Sequence, residues 1–168
     1  MKYLLDTNVF IQAHRFYYPF DVFPAFWSWL EAEFNNGILI SISLVLDELK
    51  GGKTKSENTD ILYRWVVDSL GKCSFPEPDD DPTQTNFQKI SEWIMDNRKF
   101  RNHAKEVFLN CADPWLIAKA KAEGYTIVTQ EKSDPKSRKK IFIPDVCNQF
   151  NVPYIDTIQL IRVLGGKF

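Results

Sequence analysis

The chain has 168 residues, enough for one domain spanning residues 1–168, and its 44% hydrophobic and 26% charged residues are typical of a globular protein. The net charge of −1 excludes a general electrostatic attraction to nucleic acid, so any such binding depends on local patches. No apolar run approaches the roughly 18 residues that span a membrane, and no secretion signal is evident, so a cytoplasmic protein is expected.

Taken in chain order, apolar segments alternate with amphipathic ones. The predicted strands are Tyr3–Leu5, Ile38–Ile42, Tyr125–Thr129 and Val152–Ile155, with Ile141–Ile143 as a candidate fifth. The predicted helices are Asp21–Phe34, Ser43 to Gly51-Gly52, Asp60–Leu70, Thr85–Met95, Arg101–Leu109, Asp113 to Gly124, Pro144–Phe150 and Asp156–Leu164. Phe75–Pro82, rich in proline and acids, is predicted as a loop. This alternation predicts a parallel sheet with helices on both faces.

Four acidic residues stand where the predicted strands end or the neighbouring helices begin. Asp6 follows the first strand, Glu48 lies in the helix after the second, Asp113 opens the helix before the third, and Glu131 follows the third. In a doubly wound sheet these places meet at one edge. Each acid has another explanation: Asp113 as a helix cap, Glu48 as a solvated residue with Asp47 facing inward, and Glu131 as part of a polar loop.

Several carboxylates in one cleft repel each other unless some are protonated or a cation lies between them. The three cysteines are widely spaced and form no CxxC pair, which argues against zinc. Oxygen ligands alone favour a hard ion, Mg²⁺ or Mn²⁺. Such ions serve phosphodiester hydrolysis, in which they orient a water molecule and offset charge on the leaving oxygen.

Three segments together resemble the PIN-domain nuclease family. The segments are Leu4-Leu5-Asp6-Thr7-Asn8-Val9-Phe10-Ile11, Ser43-Leu44-Val45-Leu46-Asp47-Glu48-Leu49, and Asp113-Pro114-Trp115-Leu116-Ile117-Ala118-Lys119-Ala120 with Ile127-Val128-Thr129-Gln130-Glu131. The resemblance implies a three-layer α/β/α fold around a mainly parallel sheet of four or five strands. It also implies that Asp6, Glu48, Asp113 and Glu131 are the catalytic, metal-binding acids. The family usually has Asp at the last position, so Asp134 is an alternative fourth ligand to Glu131.

The same resemblance implies roles for neighbouring groups and for partners. Thr7, Asn8 and Thr129 are expected to support the acids or to position substrate. The expected activity is endoribonuclease cleavage of RNA that leaves 5′-phosphate and 3′-hydroxyl ends, as in the toxins of bacterial toxin–antitoxin pairs. Expected partners are therefore RNA, an antitoxin-like protein inhibitor and a second copy of the chain.

A basic loop follows Glu131 directly, and it is a candidate for phosphate contacts. Its cations are Lys132, Lys136, Arg138, Lys139 and Lys140. A solvated, flexible loop is the equally weighted alternative. A second basic cluster, Arg98, Lys99, Arg101 and Lys105, is interpreted as a polar helix face.

Two rival functions remain open at this point. One is a catalytically inactive PIN-like module that binds RNA or protein, which the unusual Glu131 favours. The other is a receiver-like or phosphatase-like domain with Asp6 as phosphoacceptor, which the segment from Asp113 to Glu131 does not fit.

Overall fold

The alternating strands and helices form a three-layer α/β/α fold in the computed structural model, which describes residues 1–51 and 57–168, with the backbone alone for residues 57–60. The strands are β1 (Tyr3–Leu5), β2 (Leu39–Ile40), β3 (Thr126–Val128) and β4 (Tyr154–Ile155). Within the described ranges they form one four-stranded sheet in the order β2-β1-β3-β4, with every pairing parallel. The predicted fold class is confirmed.

Strand β1 is central and pairs on both sides. Tyr3 stands opposite Leu39 of β2 and Thr126 of β3. Leu4 and Leu5 have no exposed surface, as expected for a strand covered on both faces. The chain leaves β1 for β2 on one side and returns with β3 on the other, so the strand order reverses between β1 and β3. A ligand cleft is expected at the carboxyl ends of the strands at such a reversal.

The helices fall into two packed groups. Their bounds are α1 (Thr7–Gln12), α2 (Pro24–Asn35), α3 (Ser43–Gly51), α4 (Glu57–Trp65), α5 (Asp81–Asp96), α6 (Asn102–Leu109), α7 (Asp113–Glu123), α8 (Ile143–Phe150) and α9 (Thr157–Leu164). Wider turns, Ala13–Tyr17 and Val66–Leu70, extend α1 and α4, and a single 3₁₀ turn covers Lys72–Ser74. Helix α3 packs on α1 and α4, whereas α7 packs on α5, α6, α8 and β3. None of the described helices has the length and apolar character needed to cross a bilayer.

Helix α2 illustrates how the apolar spacing fixes the buried face. Phe26, Leu30 and Phe34 recur at helical spacing, and each is almost wholly buried. The helix begins at Pro24, whose fixed φ suits a first position. It ends before Gly37, which adopts a φ of +67° that other residues rarely take.

The predicted fifth strand, Ile141–Ile143, is wrong. Ile143 is instead the first residue of α8, and Pro144 follows it within the first turn. Proline has no N–H to donate to a sheet, and its ring suits the start of a helix. The short helix α1 was not predicted, because Thr7 and Asn8 are typical turn residues.

The start of one helix also differs from expectation. The loop predicted over Phe75–Pro82 stops earlier, because Asp80 caps α5 by accepting a hydrogen bond from the Thr83 N–H at 2.9 Å. Helix α3 reaches Gly51, and the other residue of its predicted end, Gly52, lies outside the described ranges.

Candidate metal centre

Asp6 lies at the carboxyl end of β1, at the point where the strand order reverses. Its N–H donates to the Val128 carbonyl at 3.0 Å, which continues the pairing of β1 with β3. Its side chain is 1% exposed. Oδ2 of Asp6 accepts a hydrogen bond of 2.9 Å from the Thr129 hydroxyl, and the Asn8 backbone N–H also bonds to the carboxylate. Asp6 is therefore a buried acid held by two of the three predicted supporting residues.

Glu48 joins three segments of the chain. It projects from α3, and its Oε2 accepts a short hydrogen bond from the Thr7 hydroxyl of α1. Its Oε1 accepts a hydrogen bond of 2.9 Å from the backbone N–H of Ala112, just before α7. The third predicted supporting residue, Thr7, thus holds Glu48. The contact with Ala112 was not predicted, since a backbone donor leaves no trace in the sequence.

Asp113 occupies the first turn of α7. The helix is preceded by Ala112 as its cap residue, and no side-chain hydrogen bond is made there. The interpretation of Asp113 as a capping residue is therefore wrong: it is the first helical residue, and Pro114 is the second. The Cys111 thiol, which donates to the Phe108 carbonyl at 3.2 Å, favours the ionised form of Asp113, whereas burial and the other three acids disfavour it.

Glu131, which follows β3, binds donors from its own loop. Its Oε1 accepts from the Lys140 ammonium at 2.7 Å, and its Oε2 accepts from the Ile143 N–H at 2.8 Å. The side chain is 8% exposed. The alternative acid, Asp134, is exposed and accepts a hydrogen bond from the Lys136 N–H. Of the two candidates, Glu131 is the one that interacts with the other acids.

The four acids act on one another electrostatically. Burial, followed by the charges of Glu131 and Glu48, raises the pKa of Asp6 to about 7, although the Thr129 hydrogen bond opposes this shift. Burial also raises the pKa of Asp113 well above its ordinary value, with further contributions from Asp6, Glu131 and Glu48. Carboxylates from distant segments of the chain therefore lie close enough to raise the pKa of Asp6 and Asp113.

The donor chemistry of this set suits a hard dication, but the side chains are not gathered around one point. Within the described ranges, no three His, Cys, Asp or Glu side chains are arranged so that they could hold a single metal ion. The two glutamates explain this, because each is bonded to donors of its own: Glu48 to Thr7 and Ala112, and Glu131 to Lys140 and Ile143. Carboxylate oxygens alone favour Mg²⁺ or Mn²⁺ over zinc or copper.

Open depressions flank the acids. One of about 400 Å³ is lined by Glu48, Cys111 and Ala112. Another, of about 250 Å³, is lined by Thr129, Glu131 and Lys132. Glu48 and Glu131 are thus reached from the surface on different sides.

The basic loop lies beside the site and is anchored at two points. Lys140 is bonded to Glu131, and the Arg138 side chain donates from Nε to the Lys99 carbonyl at 3.2 Å. Lys132, Lys136 and Lys139 are exposed. The loop therefore presents cations to solvent next to the acids.

The second basic cluster is not a polar helix face. Lys99 lies in the turn between α5 and α6, and the Arg101 N–H donates to the Arg138 carbonyl at 3.0 Å. Lys105 is buried, and its ammonium donates to the Met95 carbonyl at 2.5 Å. The two basic segments thus meet, which their separation of more than thirty positions in the chain did not reveal.

Comparison with known proteins identifies a family for the chain and a solved structure of similar fold. A parallel sheet of order β2-β1-β3-β4 between two helical layers is a PIN-like α/β/α fold. Residues 3–168 match the family described as "Domain of unknown function (DUF4411)", and the chain belongs to that family. Its fold is similar to that of a chain in the crystal structure of VapBC2 from Rickettsia felis bound to a DNA fragment from their promoter. The similarity covers 93% of this chain and 98% of the other, with 18% identity and a TM-score of 0.56. No curated protein matches the chain.

Proposed function

We propose that this protein is a metal-dependent endoribonuclease whose acidic site is formed by Asp6, Glu48, Asp113 and Glu131. The observation that carries the proposal is the meeting of the four acidic segments: Glu48 is bonded to Thr7 and to the Ala112 N–H beside Asp113, and Thr129 is bonded to both Asp6 and the Glu131 N–H. In keeping with this, burial and the neighbouring charges raise the pKa of Asp6 and of Asp113. Such a concentration of negative charge destabilises a fold unless a cation offsets it, and perturbed carboxylates of this kind mark functional sites.

Asp6 and Asp113 form the centre of the proposed ligand set for Mg²⁺ or Mn²⁺, with Glu48 and Glu131 at its edges. When bound, such an ion supplies positive charge to a phosphate group and lowers the pKa of a water molecule. The chain's own groups hold the acids in place. Thr129 orients Asp6, Thr7 orients Glu48, and the Asn8 N–H favours the ionised form of Asp6.

RNA is the proposed substrate because the motifs around the acids resemble those of PIN-domain nucleases. The exposed cations Lys132, Lys136 and Lys139 are proposed to contact its phosphates, together with Arg138 and Lys140. The fold shared with a chain of VapBC2 supports a further proposal, namely that the protein is the toxin of a toxin–antitoxin pair and is held inactive by a protein inhibitor. A homodimer is proposed on the motif resemblance alone.

The test compares wild type, Asp6→Asn and the control Asp96→Asn on a mixed RNA pool. Asp96 is an exposed acid at the end of α5, so its variant makes the same chemical change away from the site. Wild type and Asp96→Asn are expected to cleave with Mg²⁺ or Mn²⁺ and to stop in EDTA, whereas Asp6→Asn is expected to be inactive while folded. Cleavage by Asp6→Asn at the wild-type rate would contradict the assignment.

A second candidate function is an RNA- or protein-binding module without turnover. It is favoured by the bonding of both glutamates to protein donors. It is also favoured by the geometry of the acids, no three of which, among the described residues, are placed to hold a single ion. RNA binding with no cleavage in any divalent cation, and no stabilisation of the fold by Mn²⁺, would establish this function in place of the first.

A further inference from the structure

A cavity of about 280 Å³ lies between helix α6 and the basic loop. Asp113 lines one part of it, so the cavity opens directly beside the acidic site. Its remaining walls come from two separate segments of the chain. One is a face of α6 with Cys111 just after it, and the other is the end of the basic loop. Neither segment forms the cavity alone.

Hydrogen bonds hold the loop against the start of α6 and the turn before it, so both walls of the cavity are held in place. The Arg101 N–H, at the start of α6, donates to the Arg138 carbonyl at 3.0 Å, and Arg138 Nε donates to the Lys99 carbonyl at 3.2 Å. On the opposite side, the Lys140 ammonium is bonded to Glu131. These three contacts hold both ends of the segment 138–140.

The walls combine an apolar interior with a cationic rim. Ala104, Phe108 and Ile141 are buried and line the cavity with carbon atoms. The exposed cations of Lys139 and Lys140 stand at the edge, and Val107 is 55% exposed on α6. An apolar slot edged by cations matches one nucleotide, since a base is flat and apolar on its faces and carries a phosphate on either side.

We propose that this cavity binds one unstacked base of a single-stranded RNA, beside the acidic site. Lys139 contacts a flanking phosphate, and the apolar walls enclose the base. The volume lies just below the roughly 300 Å³ at which small-molecule sites begin, so it suits one nucleotide unit. The inference rests on the proposed ribonuclease function, and it requires an unpaired base, because a base within a duplex cannot leave its stack without cost.

Binding measured without cleavage tests the cavity separately from the enzyme. A short fluorescent single-stranded RNA and its duplex are titrated in EDTA against wild type, Val107→Glu and the control Val163→Glu, whose native side chain is 63% exposed on α9. We expect wild type and Val163→Glu to prefer the single strand, and Val107→Glu to bind it about tenfold more weakly. Equal affinities for single strand and duplex overturn the proposal, as does an unchanged affinity in Val107→Glu.

A second measurement locates the base. RNA carrying the photoreactive base 4-thiouridine is irradiated with the full-length protein, and the cross-linked peptides are identified. Cross-links within residues 103–108 or 139–141 support the site. Cross-links confined to other segments overturn it. In that case the cavity is better explained as a site for an apolar side chain of a protein partner. Metal-dependent cleavage is measured in parallel, so that a failure of the proposed ribonuclease function is distinguished from a failure of the proposed base site.

Discussion

The Lys140 ammonium lies 2.7 Å from Oε1 of Glu131, so a cation of the chain itself stands at the edge of the acidic site. The Glu131 side chain is 8% exposed and that of Lys140 is 58% exposed. The ion pair offsets one of four converging negative charges, and it also attaches the basic loop to the end of β3. The extra methylene of Glu over Asp gives Glu131 the reach to bind both Lys140 and the Ile143 N–H.

The first prediction concerns the charge of Lys140. In Lys140→Met the negative charge of Glu131 loses its partner, so the metal-free protein is expected to be destabilised by about 1 kcal/mol, a value kept small because Lys140 is exposed. Mn²⁺ is expected to stabilise this variant more than wild type, since fewer cations then compete for the acids. Thermal unfolding with Mn²⁺ and with EDTA measures both effects. Lys136→Met is the control, and an identical response in the two variants would count against the interpretation.

The second prediction concerns the charge of Asp6. The pKa of Asp6 is about 7 in the folded protein and 3.8 ordinarily, so the folded protein binds this proton more tightly than the unfolded chain does. The resulting contribution to the free energy of unfolding is fully present below pH 3.8. That stability is lost as the pH rises towards 7, because the unfolded chain releases the proton first. Asp6→Asn removes this loss, and at pH 8 without metal the variant is expected to be more stable than wild type by on the order of 2 kcal/mol.

Urea unfolding in EDTA at pH 4 and pH 8 measures the effect of Asp6→Asn. The difference from wild type is expected to grow with pH, while cleavage is lost at both values. A variant that is less stable than wild type at pH 8 would show that the Asp6 carboxylate stabilises the metal-free fold.

The third prediction concerns Thr129, which holds Asp6. Thr129→Val keeps the volume but removes the hydroxyl that donates to Asp6 and accepts from the Glu131 N–H. Stability is expected to fall by about 1–3 kcal/mol, because a buried acid and a backbone donor lose a partner. Metal-dependent cleavage is expected to fall with it, and Thr129→Ser, which restores the hydroxyl, is expected to recover both. Failure of Thr129→Ser to recover cleavage would assign the effect to packing.

The fourth prediction lies outside the site. Asp80 caps α5 and pairs with the Lys119 ammonium of α7 at 2.8 Å, which lowers the pKa of Asp80 to about 2. Asp80→Ala is expected to cost about 1–2 kcal/mol at neutral pH and to leave cleavage unchanged. The contribution of Asp80 is present above pH 3.8 and is lost as the pH falls towards 2, so the difference from wild type shrinks in acid. Chemical unfolding measures it, with the exposed Asp79→Ala as the control.

The centre of the fold was predictable because strands β1 and β3 are buried on both faces. Runs such as Tyr3–Leu5 and Thr126–Val128 have the apolar character that a covered parallel strand requires. The false strand at Ile141–Ile143 has the same local character. Its outcome depends on Glu131, twelve residues earlier in the chain, whose carboxylate binds the first N–H of α8. Such a tertiary contact overrides local propensity, and no pattern of apolar residues reveals it.

The acids were predictable as a group for a similar reason. Strand ends in a parallel sheet meet at one edge, so the positions of Asp6 and Glu131 follow from the strand assignment. The partners of the acids did not follow from it. Ala112 contributes a backbone N–H to Glu48, and Lys140 reaches Glu131 across a loop without regular structure. Backbone donors and loop geometry depend on the folded path of the chain.

The bond between Glu48 and the Ala112 N–H has a consequence for how this site is dissected by mutation. Glu48 accepts a hydrogen bond from the residue just before α7. Removal of the Glu48 side chain therefore releases the turn that carries Asp113 and also deletes a charge. Glu48→Ala therefore perturbs two acids at once. A loss of activity in this variant does not show which of the two acids binds the metal ion. Glu48→Gln keeps an oxygen that can accept from the Ala112 N–H and removes only the charge. A comparison of Glu48→Gln with Glu48→Ala therefore separates the effect of the lost charge from the effect of the lost structural contact.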